Sequence, residues 1–260
     1  MRSGCGGFIR ILGGLWRRLV HERRCSFCAA PVVPAALAVT RDFIPICASC
    51  LARLEAGPRP AAVCPRCGEV TAPVGGSSPL CGGCLTEPPP WEALYFYGFY
   101  HGYLRQLLLQ VKFGRALHQA EALGRLLAAQ PRLLEAAGSW DCLAPIPLHL
   151  ARLRERGFNQ SALLAAPLAR RLELPLRQRL LRRVVDSARQ SGLSRAQRQS
   201  NTSGIFWADP DVRGRRILLL DDVMTTGATL RSAAACLTRA GAAGVGVAVL
   251  GRTAGRNWRV

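Results

Sequence analysis

The chain has 260 residues, 49% of them hydrophobic, which suits one large domain or an ordinary domain with a small one. Its formal net charge is +19, and arginine supplies nearly all of the positive charge because Lys112 is the only lysine. This balance favours an anionic partner such as a nucleotide, a nucleic acid or a membrane surface, and no apolar run is long enough to predict a transmembrane segment.

Residues 1–24 predict an amphipathic helix. Apolar residues recur between Phe8 and Val20, but glycines and arginines interrupt them, unlike the continuous apolar stretch of a signal peptide. We expect this helix to pack on the rest of the protein, and docking on a membrane surface is the alternative.

Eight of the eleven cysteines form four C-x-x-C pairs, all before residue 85. Two pairs on tight turns supply the four thiolates of a closed zinc site, so four pairs predict two structural zinc ions. Disulfide bonds are disfavoured because nothing indicates secretion. We expect sequential pairs to share an ion, and interleaved sharing is the alternative. The predicted ligands are Cys25, Cys28, Cys47, Cys50, Cys64, Cys67, Cys81 and Cys84.

A double zinc ribbon is predicted over residues 25–87. Segments 57–63 and 71–80 are rich in proline, glycine and serine, so this region has little to fold around except metal. Three prolines at 88–90 predict a short, stiff linker. The second domain is therefore expected over residues 91–260.

Strand and helix patterns alternate through the second domain, which predicts an α/β fold with a mostly parallel sheet covered by helices on both faces. The expected strands are 95–100, 140–146, 217–220 and 245–250. The expected helices are 104–111, 116–129, 160–172 after Asn159, and 227–240.

The most informative stretch runs from Arg215 to Leu230. Asp221 and Asp222 follow the apolar strand 217–220 at its carboxyl end, where open α/β sheets bind ligands. The next turn leads directly into a helix, so its N–H groups and hydroxyls form a cradle for phosphate, and the acids suit ribose hydroxyls or water on Mg²⁺. A sugar phosphate is the predicted ligand. The cradle consists of Thr225, Thr226, Gly227, Ala228 and Thr229.

A basic segment at 145–160 follows another strand and so reaches the same edge of the sheet. Arg152 and Arg156 are four residues apart and share one helical face. Arginine forks bind phosphate oxygens in pairs, which a pyrophosphate group would need. Solvent-facing arginines are the alternative. The turn at 112–115 between two helices is either a surface turn or a ligand contact.

The polar segment 186–204 has almost no apolar periodicity. Residues 177–198 hold seven arginines and one acid, a positive balance that a coding bias toward arginine over lysine does not by itself explain. A long loop inside a compact domain is typically a lid or a binding loop, and a lid would exclude water from a reactive sugar cation. The predicted lid residues are Arg189, Gln190, Arg195 and Arg198.

The stretch ILLLDDVMTTGATL resembles the signature of the type I phosphoribosyltransferases, whose ligand is phosphoribosyl pyrophosphate (PRPP). Together with PIPLHLARLRERGFNQ, RQSGLSRAQRQSN and the paired cysteines, it resembles the ComF family over nearly the whole chain. The lid departs from the family, which often has Thr and Pro where this chain has Ser187 and Arg189. The resemblance implies a zinc-ribbon domain before a type I phosphoribosyltransferase-like domain, and a cytoplasmic protein associated with competence and uptake of single-stranded DNA.

The resemblance also implies roles for the residues of the site. Asp221 and Asp222 would be catalytic, contacting the ribose of PRPP bound with Mg²⁺ and stabilising positive charge on the sugar. The threonine-rich turn would hold the 5′-phosphate, and Arg152 and Arg156 the pyrophosphate. Transfer of the phosphoribosyl group to an unidentified acceptor is the expected function. The alternative is a non-catalytic module that senses PRPP or binds single-stranded DNA or a protein of the competence machinery.

Overall fold

The computed structural model describes residues 23–32, 44–184 and 204–255. By backbone contacts the chain divides into two compact units, Met1–Glu55 and Ala56–Val260. Within the described ranges, no helix combines the length and the apolar character needed to cross a membrane. The expected N-terminal helix lies outside these ranges except for its last two residues. Those two form a strand rather than the end of a helix, because they pair with residues after the first cysteine turn.

The first unit is built around its cysteine pairs. Strand β1 (Arg23–Arg24) pairs antiparallel with β2 (Pro31–Val32), and the two strands flank the turn that carries Cys25 and Cys28. Helix α1 (Ala48–Glu55) carries Cys50 on its buried side.

The second unit contains the remaining cysteine pairs and all of the predicted α/β pattern. Backbone contacts thus group the cysteines from Cys64 onward with the sheet, whereas the sequence places a domain boundary at the proline run. Its helices are α2 (Gly82–Thr86), α3 (Gly102–Lys112), α4 (Gln119–Ala128), α5 (Pro131–Glu135), α6 (Leu150–Arg156), α7 (Gln160–Leu172) and α8 (Ala228–Arg239). Its strands are β3 (Ala93–Phe99), β4 (Cys142–Pro145), β5 (Leu181–Arg183), β6 (Phe206–Ala208), β7 (Arg216–Met224) and β8 (Gly244–Arg252).

Four strands form a parallel sheet in the order β3-β8-β7-β4. Strand β7 continues four residues beyond the predicted apolar strand, through both acids to Met224. The reason is its neighbour: β8 extends equally far and pairs with Val223 and Met224. Both acids therefore lie on a paired strand, held more rigidly than in a loop.

Helices cover both faces of the sheet, as the alternating pattern predicts. Side chains alternate along β7, and Ile217 and Leu219 lie in one buried cluster with residues of α8. Helix α7 packs on β4 and β7 and crosses α4 closely. At that crossing a Cβ on Gly124 would lie 2.7 Å from the backbone oxygen of Leu164, so the two helices approach through a glycine. Strands β5 and β6 form a separate antiparallel pair beside α8.

Candidate functional site

Asp221 and Asp222 lie near the carboxyl end of β7 and are held by the first turn of α7. The Ser161 hydroxyl donates to Asp221 Oδ1 over 2.8 Å. The Gln160 amide nitrogen donates to Asp222 Oδ2 over 3.3 Å. Ser161 and Gln160 are buried, at 1% and 5% exposure, so they hold the two carboxyl groups in place.

The start of α7 is itself anchored to the sheet. The Asn159 side chain caps the helix by accepting from the Ser161 backbone N–H, and it donates to the backbone oxygen of Ile146 just after β4. The Ile146 backbone N–H in turn donates to Leu220 O on β7. The cap therefore sets the distance between α7 and the acids of β7.

Burial, and after it the neighbouring Asp222 carboxylate, raise the pKa of Asp221 to about 8 against the opposing hydrogen bond from Ser161. Two carboxyl groups side by side in a desolvated place resist full ionisation without a cation. The pair therefore offers oxygen ligands to Mg²⁺ or to a positively charged sugar, and such a cation would favour release of the retained proton.

The turn at residues 225–229, called here the threonine turn, leads from β7 into α8. Gly227 has φ 78°, and a Cβ there would lie 2.8 Å from Met224 Cε, so the turn needs a glycine at this point. Thr225, Thr226 and Thr229 are exposed, whereas Gly227 is buried. Their hydroxyls and the first N–H groups of the twelve-residue α8 meet at a helix N-terminus, which favours an anion.

Arg152 and Arg156 both lie on α6, on the face that their spacing predicts. Arg156 donates to Gln160 Oε1 over 3.4 Å and is thereby linked to Asp222, while Arg152 is exposed. The predicted lid residues Arg189, Gln190, Arg195 and Arg198 lie outside the described ranges.

Two further segments border the site. A Cβ on Gly114, in the turn at 112–115, would contact the Phe158 ring at 3.4 Å, so this turn lies beside the segment that leads into α7. On the β8 side, the Tyr100 ring covers Gly251, which pairs with Val223. Burial raises the pKa of Tyr100, and the Asp222 carboxylate adds to the rise while Arg105 opposes it.

The eight predicted metal ligands form two groups of four in the sequential pairing. The first cysteine cluster contains Cys25, Cys28, Cys47 and Cys50; the second contains Cys64, Cys67, Cys81 and Cys84. Within each cluster all sulfur atoms lie within 4.8 Å of one another, and the Cys28–Cys47 and Cys67–Cys81 sulfurs are 3.5 and 3.4 Å apart. A tetrahedral Zn²⁺ with Zn–S bonds of about 2.3 Å separates its sulfurs by about 3.8 Å, so each cluster fits a structural zinc ion.

A family model described as a phosphoribosyl transferase domain matches residues 159–257. The chain is 38% identical over 194 residues to the DNA utilization protein YhgH of Escherichia coli strain K12, covering 74% of this chain and 84% of that one. It is 31% identical over 183 residues to Competence protein F of Haemophilus influenzae, covering 68% and 80%. It is 40% identical over 101 residues to Competence protein ComFC of Bacillus subtilis, covering 39% and 40%.

The chain belongs to the ComF family. The phosphoribosyl transferase match begins at Asn159, the cap of α7, and spans both acids and the threonine turn. The predicted fold class is confirmed: a mostly parallel, helix-covered sheet of phosphoribosyltransferase type follows a cysteine-rich segment with two clusters of four thiols. The relatives of this ComF chain carry names that refer to DNA utilization and to competence.

Several residues of the site have only weak signals, or none, in the sequence of this ComF chain. Gln160 and Ser161 contact the acids from positions about sixty residues earlier in the chain. The signal that points to them is two polar residues opening an apolar helix just after the cap Asn159. Trp91 and Arg252 also reach the site region, Trp91 beside Gly227 and Arg252 at the Thr225 carbonyl, and no local pattern marks them.

Proposed function

We propose that this ComF protein binds PRPP with Mg²⁺ and transfers its phosphoribosyl group to an acceptor still to be identified, in the service of DNA utilization. The observation that best supports this proposal is the arrangement at the carboxyl end of β7. Two constrained carboxyl groups stand directly before an exposed threonine turn at a helix N-terminus.

Each part of PRPP has a matching group in the site. The threonine turn suits the 5′-phosphate, since it offers hydroxyls and N–H groups at a positive helix end. Asp221 and Asp222 suit the ribose hydroxyls, and together with the pyrophosphate they offer the oxygen ligands that Mg²⁺ prefers. Arg156, linked to Asp222 through Gln160, suits the pyrophosphate.

In the proposed transfer, a nucleophile on the acceptor forms a bond to the anomeric carbon of ribose. The bond from that carbon to pyrophosphate breaks, and its electron pair leaves with the pyrophosphate. Positive charge grows on the sugar during this exchange, and the carboxylates beside it stabilise that charge. Arg156 on α6 stabilises the negative charge that grows on the leaving pyrophosphate.

Calorimetry with PRPP and Mg²⁺ tests the binding step. We expect binding by the wild-type protein and none by the double variant Asp221→Asn, Asp222→Asn, with the exposed Asp211→Asn as a matched control that binds normally. Equal binding by the double variant would refute the assignment of the two acids to a PRPP site.

A pyrophosphate-release assay with PRPP and a panel of nucleobases tests transfer. Release with one base identifies the acceptor class. Binding of PRPP without release across the panel would replace transfer by a sensing role.

A second candidate, binding of single-stranded DNA, is favoured by the β5–β6 pair. The Arg182 guanidinium lies over the Trp207 ring, 5.2 Å from its centroid, and Arg183 lies over Phe206 at 5.8 Å. Trp207 is 42% exposed. Exposed aromatic rings with arginine beside them are the usual platform for stacked bases.

Fluorescence anisotropy with a labelled oligonucleotide tests this candidate. Affinity should fall steeply with salt, and Trp207→Ala should weaken binding about tenfold, the scale of one base–aromatic stack. The control Trp207→Phe keeps a ring and should bind nearly as well. Equal affinity for all three proteins would remove DNA binding from this surface.

A further inference from the structure

The second cysteine cluster is joined to the sheet through the backbone of its first turn, residues 64–67. Three successive carbonyl groups of this turn each accept one hydrogen bond. Leu94 N–H donates to Pro65 O over 2.9 Å, Trp91 Nε1 to Arg66 O over 2.7 Å, and Arg252 Nε to Cys67 O over 2.6 Å.

Two of those three donors also reach the threonine turn. The Arg252 guanidinium, whose residue is only 8% exposed, donates through Nη1 to Thr225 O over 2.7 Å and lies 3.4 Å from Met224 O. One planar cation thus binds the cysteine turn with one edge and the start of the threonine turn with another. Carbonyl groups bound to a buried cation are held far more firmly than carbonyl groups facing water.

Trp91 makes the second connection. Its indole ring lies under Gly227, where an added Cβ would be 3.6 Å from the ring, and the Arg231 guanidinium covers it at 5.7 Å. The ring is 3% exposed, so it fills the space between the cysteine turn and the first residues of α8. A shift of the cysteine turn would move both the ring and Arg252.

We propose that Arg252 and Trp91 are positioning residues that tie the phosphate-binding shape of the threonine turn to the closed, metal-bound state of the second cysteine cluster. A C-x-x-C turn keeps its fold when both thiolates share an ion, and it loses that constraint when the ion leaves. The first cysteine cluster belongs to the other compact unit and so provides a matched control. The identity of the ligand, a sugar phosphate, rests on the proposed function.

Hydrogen exchange on the full-length, zinc-loaded protein measures the coupling without any ligand. We expect Cys81→Ser to lose one zinc ion and to raise exchange about tenfold at residues 224–229, the scale of one lost hydrogen bond to a charged group. The matched Cys28→Ser should lose one zinc ion with no change at these residues. Arg252→Lys should keep both ions and still raise exchange there, since one ammonium replaces the two edges of the guanidinium. The exposed Arg213→Lys is its control.

Titrations with ribose 5-phosphate and with Mg²⁺–pyrophosphate separate positioning from general damage. Arg252→Lys and Trp91→Phe should each weaken ribose 5-phosphate binding about tenfold, since each loses a hydrogen bond of the connection between the cysteine turn and the threonine turn, and leave pyrophosphate affinity unchanged. Unchanged exchange in Arg252→Lys, or an equal rise in Cys28→Ser, would overturn the inference. A wild-type protein that binds neither compound would refute the proposed function, while the exchange data would still decide the coupling.

Discussion

Replacing Asp221 with asparagine should make the unliganded protein more stable, and the gain should grow with pH. The raised pKa of Asp221, about 8, means that the folded protein keeps a proton on this carboxyl group well above the pH at which the unfolded chain loses it. Between about pH 4 and pH 8 the folded state therefore binds more protons than the unfolded state, and stability falls as pH rises. Asparagine resembles the protonated acid and carries no such dependence.

The size of the effect follows from the same difference. One full proton corresponds to about 1.4 kcal/mol per pH unit, or about 3 kcal/mol between pH 5 and pH 7. Asp221 retains some solvent exposure, which screens part of this, so we expect a gain of about 1–2 kcal/mol at pH 7 relative to pH 5. The asparagine oxygen can still accept from Ser161 and from the Asp222 N–H, so no other contact need be lost.

Urea unfolding at pH 5, 6, 7 and 8 measures this gain, with fluorescence from the buried Trp91 and Trp140 as the probe. The difference in unfolding free energy between Asp221→Asn and wild type should widen steadily across the series. The variant Asp211→Asn, at an exposed position, is the matched control. If the difference in unfolding free energy between Asp221→Asn and wild type does not change with pH, the carboxyl group is not desolvated in the folded state and the prediction is wrong.

Three shorter predictions concern the same region and its metal. Arg156→Ala and Gln160→Ala should each weaken PRPP binding, and the double variant should lose less binding free energy than the two single losses summed, because Gln160 positions the arginine that contacts pyrophosphate; full additivity by calorimetry would contradict this. Gly227→Ala should lower stability by about 1–2 kcal/mol, because its φ is left-handed and its Cβ would meet Met224, and an unchanged melting temperature would count against the turn. Elemental analysis should find two zinc ions per chain, and one or none would defeat the assignment of the clusters.

The sequence predicted well what local chemistry determines. Helix α7 has the expected bounds because its cap Asn159 and its apolar spacing are both local signals. The predicted end of β7 at residue 220 is too early. Pairing with β8 continues the strand through polar residues that are typical of a loop. Contacts between distant residues escaped prediction altogether: Arg252 and Cys67 are 185 positions apart. The lid stays a prediction.

The two cysteine clusters begin with turns of the same form, which provides an internal comparison. In the first turn Ala29 N–H donates to Cys25 O over 2.9 Å; in the second Gly68 N–H donates to Cys64 O over 2.8 Å. Both residues after the second cysteine have positive φ, 60° at Ala29 and 70° at Gly68. Backbone conformation alone therefore permits alanine at this point, at a cost of about 1 kcal/mol.

Gly68 has a second reason to be glycine. A Cβ there would lie 3.0 Å from Arg252 Cγ and 3.3 Å from the side chains of Leu94 and Phe96. Gly68→Ala should therefore cost the conformational term plus about 1–3 kcal/mol of crowding, whereas Ala29→Gly should gain no more than the conformational term. Urea unfolding of the two variants, with zinc content as a check, measures both. Suppose instead that the loss of stability in Gly68→Ala equals the gain in Ala29→Gly. Arg252 would then move aside freely for an added methyl group, so the packing of the second cysteine turn on the sheet would not constrain its guanidinium.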